Sequence, residues 1–213
     1  MMSKLDYKAA YKELYAPKTT PALIDVPQMT FIQVDGRGNP NDPDGTYQQA
    51  VELLYALTWT IKMSPKSGSA PEGYFEYVVP PLEGLWWVDD PQHADFQDKS
   101  KYCWTSMIRQ PEFVTQDVFQ RAVDEVCRKK PQIDTGKARL EVFTEGLCVQ
   151  CMHIGPFADE PATVEKMEAY MADNGLLCDL SDTRKHHEIY MGDPRKTDPA
   201  KMKTILRYPV RRA

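Results

Sequence analysis

The feature that most constrains this 213-residue sequence is a likeness between its two halves at a fixed offset of 117 positions. Four identical pairs mark the offset: Leu23 and Leu140, Gln33 and Gln150, Gly38 and Gly155, and Thr46 and Thr163. Self-similarity at one spacing is the signature of a repeated structural unit. We therefore predict an α+β fold of duplicated βαββ units related by a pseudo-two-fold axis. Its antiparallel sheets carry helices on one side, and a ligand groove lies between the halves.

The spacing of apolar residues indicates where the two units begin and end. The first half has a helix with a 3.6-residue period from Tyr47 to Ile61, and a shorter helix in the second half stops at Asn174-Gly175. The whole chain is predicted to be one domain of four parts: an N-terminal helix (1–20), a first repeat (21–112), a connecting helix (113–136) and a second repeat (137–213).

Composition narrows the class of partner. The 26 basic and 31 acidic residues give a net charge of −5 without a basic stripe, which argues against direct DNA binding. No apolar run reaches the roughly 20 residues that span a bilayer, and the start of the chain lacks an apolar signal core. Five cysteines, an odd number, indicate reduced thiols. We expect a cytoplasmic monomer or homodimer that binds a small molecule and neither DNA nor a membrane.

No cofactor or metal is predicted. Cys148 and Cys151 have the spacing of a redox or zinc motif, but they lie in a predicted strand, where residues three apart face opposite ways. The adjacent His186 and His187 cannot converge on one ion for the same reason. The sequence also lacks a phosphate-binding glycine loop and a nucleophile elbow.

One predicted strand near the C-terminus carries the candidate catalytic residues. Side chains alternate along a strand, so Glu188 and Tyr190 share one face, and His187, Ile189 and Met191 share the other. If Ile189 and Met191 pack under the helices, the carboxylate and the phenol point into the groove. A carboxylate beside aromatic rings can bind a cation or act as a general base. The alternative is a surface glutamate on a half-exposed sheet.

Aromatic residues supply the candidate ligand-binding set. The repeat places Trp87 at the position of Tyr190, and Trp104 alternates with Tyr102 in the following strand. Phe157, directly after Gly155-Pro156, is expected at the mouth of a loop. The alternative for each tryptophan is packing in the core. We predict that the ligand is bound by Trp87, Trp104, Phe157 and Tyr102. Together with Tyr190, three of them (Trp87, Trp104 and Phe157) form an aromatic cage.

Several motifs in the chain resemble the GyrI-like family of small-molecule-binding proteins. They are Asp6-Tyr7, Leu14-Tyr15-Ala16-Pro17, Ile24-Asp25-Val26-Pro27, Asp35-Gly36-Arg37-Gly38-Asn39-Pro40, His187-Glu188-Ile189-Tyr190 and Asp193-Pro194. The resemblance implies a duplicated SHS2 module, a ligand groove on the pseudo-two-fold axis and a glutamate surrounded by aromatic rings. Glu188 is the residue that carries over most directly.

The same resemblance sets the functional alternatives. With about 20 residues before the first strand, a DNA-binding segment is not expected, and the chain looks like stand-alone cyclopropanoid cyclopropyl hydrolases. These add water to the strained ring of DNA-alkylating compounds, a xenobiotic detoxification. Glu188 would position the water inside the aromatic cage. The alternatives are a non-catalytic module that sequesters or senses aromatic or cationic drugs, and an inhibitor of DNA gyrase that acts through protein contact.

Overall fold

The computed structural model describes residues 4–89, 98–193 and 195–213, so Pro194 of the closing motif lies outside the described residues. In chain order the elements are α1 (Tyr7–Ala10), α2 (Lys12–Tyr15), β1 (Ala22–Val26), β2 (Met29–Arg37), α3 (Thr46–Met63), β3 (Leu82–Val88), β4 (Tyr102–Arg109), α4 (Gln116–Lys129), β5 (Ala138–Phe143), β6 (Gly146–Ile154), α5 (Glu160–Asp173), β7 (Leu176–Cys178), β8 (His186–Tyr190) and β9 (Lys203–Arg212). This is the predicted α+β class.

The chain divides into two compact units. Unit 1 consists of Met1–Asp6, Met29–Pro80 and Trp87–Phe143, and unit 2 consists of Tyr7–Gln28, Pro81–Trp86 and Thr144–Ala213. No helix within the described ranges is both long and apolar enough to cross a membrane.

Unit 1 is a three-stranded antiparallel sheet with helices packed on it. β2 lies in the middle and pairs with β4 on one side and β5 on the other. Along α3, Leu54, Leu57 and Ile61 recur at helical spacing and are almost fully buried. Each contributes about 1.5–3 kcal/mol through its removal from water. This apolar stripe explains why α3 stays on the sheet.

Unit 2 is an antiparallel sheet with strand order β1-β6-β9-β8-β3, and β7 pairs with the far end of β9. α5 covers one face, where its Met167 and Met171 join a core with Val149 of β6 and Leu206 of β9. The N-terminal segment contacts the sheet from the other face. It forms two one-turn helices rather than the single predicted helix, because Tyr11 between them leaves the helical conformation.

Strand pairing supports the duplication. In the β1–β6 ladder Ala22 lies opposite Gln150, and in the β2–β5 ladder Gln33 lies opposite Arg139. Shifting the first pair by the sequence offset produces the second pair, and the same holds along both ladders. The compact units do not coincide with the sequence repeats, because the first strand of each repeat pairs within the other unit. The predicted repeat boundaries stay a prediction.

Candidate functional site

Glu188 lies in the middle of β8, within the sheet of unit 2. Its neighbours across the sheet are Gly84 of β3 and Leu206 of β9. Directly opposed residues of antiparallel strands share a face, so Glu188 lies on the same face as the Leu206 core under α5. The condition that Ile189 packs under the helices is therefore not met for α5. Ile189 is fully buried on the opposite face.

Two donors hold the Glu188 carboxylate. The Tyr190 hydroxyl donates to Oε2 at 2.8 Å, and His186 Nε2 lies 3.2 Å from Oε1. The indole N–H of Trp86 donates to the Tyr190 oxygen at 2.8 Å. An indole nitrogen can only donate, so Trp86 directs the Tyr190 proton towards Glu188. Only 15% of the Glu188 side chain is exposed, which makes these bonds stronger than they would be in water.

Gly84 provides the space for this hydrogen-bond chain. A Cβ atom at this position would lie 2.7 Å from Trp86 Nε1 and 3.2 Å from the Tyr190 hydroxyl oxygen. Because Gly84 has no side chain, the indole of Trp86 can extend over it and reach Tyr190 on the neighbouring strand β8. A glycine inside an apolar strand is the sequence signal for such a close approach.

Further aromatic rings pack against the two residues that hold the carboxylate. Phe157 meets Tyr190 edge to face, with ring centroids 5.9 Å apart, and remains 39% exposed. The ring of Tyr208, from β9, lies 4.7 Å from that of His186. Burial is the main cause that raises the pKa of Tyr208, so its hydroxyl stays protonated. The partners of the carboxylate are thus packed against aromatic rings, and Phe157 is the most exposed of these rings.

The structure brings together three of the predicted site residues, Glu188, Tyr190 and Phe157, within unit 2. The other three, Trp87, Tyr102 and Trp104, belong to unit 1.

Trp104 is 1% exposed and packs edge-on against Tyr47 of α3, 5.1 Å between centroids. Its ring occupies the place that a side chain at Gly36 would take. Trp87 and Tyr102 are half-buried. A role for these three side chains in ligand binding stays a prediction.

Sequence reasoning missed two partners of Glu188 and Tyr190, which are His186 and Trp86. His186 shares their face by simple alternation, so this residue was within reach of the strand pattern. Trp86, rather than its neighbour Trp87, contacts Tyr190, and this depends on how β3 pairs with β8.

The opposite face of the same strands holds a buried ion cluster of Glu83, Glu145, His187 and Arg207. His187 Nε2 lies 3.0 Å from Glu83 Oε2, and its Nδ1 lies 3.0 Å from Glu145 Oε2. Arg207 Nη1 lies 3.1 Å from the same Glu145 oxygen. Two carboxylates and two cations make the cluster neutral, which is the condition for burying charge at an acceptable free-energy cost.

Charges within the buried ion cluster shift the pKa values of two of its members, His187 and Glu145. Burial by itself lowers the pKa of His187, but Glu145 and Glu83 outweigh it and raise the pKa to about 9. Burial by itself raises the pKa of Glu145, but His187 and Arg207 outweigh it and lower the pKa to about 2. His187 and Glu145 are therefore both charged at neutral pH.

The buried ion cluster also fastens the N-terminal segment to the sheet. Tyr15 donates to Glu83 Oε1 at 3.3 Å, and Arg207 Nη2 donates to the Leu14 carbonyl at 2.6 Å. Because the four side chains of the cluster are almost completely enclosed, no ligand reaches them. Their role is structural.

An open pocket of about 610 Å³ lies on unit 2 beside the N-terminal segment. Its lining residues are Lys8, Tyr15, Ala16, Pro17, Lys18, Thr19, Thr20, Met152, Ile154, Met191 and Lys203. Met152 pairs with Ile205, which in turn pairs with Ile189, so the pocket opens on the face opposite Glu188. Among the residues described, no group of His, Cys, Asp and Glu side chains is arranged to hold a metal ion.

Comparison with known proteins gives a family match and several structural matches. A family model described as the GyrI-like small molecule binding domain matches residues 19–211. A Listeria innocua structure described as an uncharacterized conserved protein is 48% identical, with a TM-score of 0.93 over 98% of this chain and 100% of its own. A Listeria innocua structure described as a hydrolase shows the same identity and coverage with a TM-score of 0.88.

A more distant match extends the likeness of fold alone. The C-terminal domain of EcmrR is 15% identical, with a TM-score of 0.53 over 91% of this chain and 98% of its own. Among proteins whose functions have been curated, no sequence matches this chain.

Proposed function

Because the chain belongs to the GyrI-like family of small-molecule-binding domains, we propose that it binds a planar, electron-poor or cationic small molecule beside Glu188 and hydrolyses it. The substrate class is a cyclopropanoid, in which a cyclopropane ring is activated by conjugation to a carbonyl. The supporting observation is the carboxylate of Glu188, partly buried and held by Tyr190 and His186, which pack against further aromatic rings. The Listeria innocua relative described as a hydrolase agrees with this proposal.

The arrangement suits addition of water to a strained ring. Each Glu188 oxygen accepts one hydrogen bond and keeps a lone pair for a water molecule. As the water oxygen bonds to the ring methylene, Glu188 takes a water proton and the strained C–C bond breaks. Its electron pair moves into the conjugated carbonyl, whose oxygen then takes a proton from solvent. The strain of the ring supplies the driving force, so general-base catalysis and orientation are sufficient.

The aromatic side chains bind the ligand in this proposal. Tyr190, whose hydroxyl donates to the carboxylate, and Phe157, which packs on Tyr190, offer ring surface to the ligand. Trp87, Tyr102 and Trp104 remain proposed ligand-binding residues. Replacing each of these three by alanine and measuring ligand affinity tests this role one residue at a time.

The catalytic proposal is tested with a synthetic spirocyclopropyl cyclohexadienone, whose opening to a phenol changes its ultraviolet absorbance. We expect Glu188→Gln to lower kcat/KM by about 100-fold or more, the usual contribution of a general base. Glu165→Gln, at an exposed position on α5, is the matched control and should keep full activity. Unchanged turnover in Glu188→Gln would disprove the assignment.

The second candidate function is sequestration or sensing without catalysis. A carboxylate among aromatic rings also suits the binding of a cationic aromatic ligand. Counting turnovers with excess probe separates the two functions. Protection of one probe molecule per protein without phenol release means binding alone, whereas many turnovers per protein mean catalysis.

A further inference from the structure

We propose that the open pocket of unit 2 is a second ligand site, which binds a small molecule with one anionic group and an apolar body, such as a medium-chain carboxylate. We call it the N-terminal pocket, because the segment before β1 forms one of its walls. It opens on the face of the sheet opposite Glu188. Binding there does not depend on the function proposed for Glu188.

The floor of the N-terminal pocket is apolar. Met152 and Ile154 alternate along β6 and therefore share a face, and Met191, directly after β8, lines the pocket with them. Met152 is 9% exposed, whereas Ile154 remains 49% exposed. The exposed part of Ile154 is apolar surface that a ligand can cover, as in most small-molecule sites.

Lysines are the only charged side chains among the described residues that line the pocket, and they are Lys8, Lys18 and Lys203. Lys203 lies directly opposite Ile154 in the β6–β9 ladder, so its side chain is on the same face as the apolar floor. A lysine can lay its alkyl stem along apolar surface while its ammonium group stays in water. The pocket is thus locally positive in a protein whose net charge is −5.

The N-terminal wall of the pocket is fixed to the sheet by hydrogen bonds within the protein. The backbone N–H of Met152 donates to the Lys18 carbonyl at 2.9 Å, and Arg207 of the buried ion cluster donates to the Leu14 carbonyl at 2.6 Å. Tyr15, which lines the pocket, is only 2% exposed. Because the wall is held in place without a ligand, binding costs less ordering of the chain than it would in a pocket that must first form.

The size and the lining of the N-terminal pocket select the class of ligand. Its volume of about 610 Å³ is typical of a small-molecule site. Three lysines disfavour a cation, and a bare inorganic anion would leave the apolar floor uncovered. A molecule that is both anionic and apolar satisfies both parts of the lining: its body covers Met152, Ile154 and Met191, and its charge lies towards the ammonium groups.

The first test titrates sodium decanoate into protein that carries carbon-13 in its methionine methyl groups, followed by NMR. We expect saturable shifts of the Met152 and Met191 signals with a Kd below about 1 mM, while Met167 and Met171 in the core under α5 stay unmoved. Decyltrimethylammonium, with the same chain length and the opposite charge, should bind about 10-fold more weakly or less. Unmoved Met152 and Met191 signals, or equal affinity for the two probes, would overturn the proposal.

The second test uses variants of the lining. Lys18→Gln and Lys203→Gln should each weaken decanoate binding about 2- to 5-fold, the contribution of one exposed ion pair. Lys166→Gln, at an exposed position on α5, removes the same charge away from the pocket and should leave the affinity unchanged. Ile154→Thr keeps a β-branched side chain in the strand but removes two apolar carbons, and should weaken binding about 5- to 10-fold. Wild-type affinity in all three pocket variants would overturn the proposal.

Glu188→Gln separates this site from the function proposed for Glu188. The variant should bind decanoate with wild-type affinity, because Glu188 lies on the other face of the sheet. Loss of decanoate binding in Glu188→Gln would place the ligand at Glu188 and overturn the N-terminal pocket. If the wild-type protein turns over no cyclopropanoid but decanoate shifts Met152 and Met191, the proposed hydrolysis fails and the N-terminal pocket stands.

Discussion

The buried ion cluster makes the stability of the protein depend on pH in a direction that the structure determines. In the folded state the pKa of His187 is about 9, against an ordinary value of 6.5 when the chain is unfolded. Between these values the folded chain holds a proton that the unfolded chain has lost. Stability therefore falls as pH rises. The contribution of His187 is complete below pH 6.5 and is lost as pH rises through 9.

The size of the effect follows from the interval between the two pKa values. Each pH unit is worth about 1.4 kcal/mol, so the free energy of unfolding should fall by about 3 kcal/mol from pH 6.5 to pH 9.5. Glu145 acts at the other end of the scale. Its pKa is lowered to about 2, so its contribution is complete above pH 4.5 and is lost as pH falls through 2. Between these limits neither group contributes a slope.

Urea unfolding measured at half-unit steps from pH 5.5 to 9.5 checks this prediction. The control is His187→Gln, which removes the titrating group while the cysteines and tyrosines of the chain are unchanged. We expect the variant to be less stable at pH 6, because Glu145 and Glu83 lose the cation between them. The stability difference between wild type and variant should shrink as pH rises. A difference that stays constant with pH would refute the electrostatic reasoning.

Three further substitutions test the hydrogen bonds and the packing around Glu188 and the ion pairs of the buried ion cluster. Trp86→Phe keeps a ring but removes the donor to Tyr190, and it should lower kcat/KM about 5- to 10-fold, the loss of one hydrogen bond. The control Trp59→Phe, at a position 47% exposed on α3, should leave kcat/KM unchanged. Equal kcat/KM values in the two variants would contradict a role for the hydrogen bond from Trp86 to Tyr190. Gly84→Ala should destabilise the fold by about 1–3 kcal/mol in thermal unfolding, and an unchanged Tm would mean that the indole moves without cost. Arg207→Met should cost about 3–5 kcal/mol in urea unfolding, because it leaves Glu145 short of a cation, and a loss below 1 kcal/mol would argue against that pairing.

Strand patterns predicted several features of the site. Alternation along β8 places Glu188 and Tyr190 on one face and His187 on the other, as the structure has them. The repeat offset anticipates the matching registers of the β1–β6 and β2–β5 ladders. The alternation follows from the two-residue period of a strand, and the matching registers follow from the 117-residue offset. Both can therefore be predicted from the spacing of residues in the sequence.

Other features depended on which distant residues meet. The choice of Trp86 over Trp87 follows from the pairing of β3 with β8, two strands about a hundred residues apart. Strand alternation separates the two faces of β8 without saying which one α5 covers, so the sequence left open that Glu188, and not Ile189, lies on the face under α5.

The sequence by itself determined the α+β class and the two faces of each strand, because the hydrophobic period is a local property of the chain. Only the tertiary structure decided that Glu83, Glu145, His187 and Arg207 share one buried cluster and that Trp86 directs the proton of Tyr190. The physical reason is that hydrogen bonds and ion pairs require contact within about 3–4 Å. Contacts of that length between residues far apart in the chain exist only after the strands have paired.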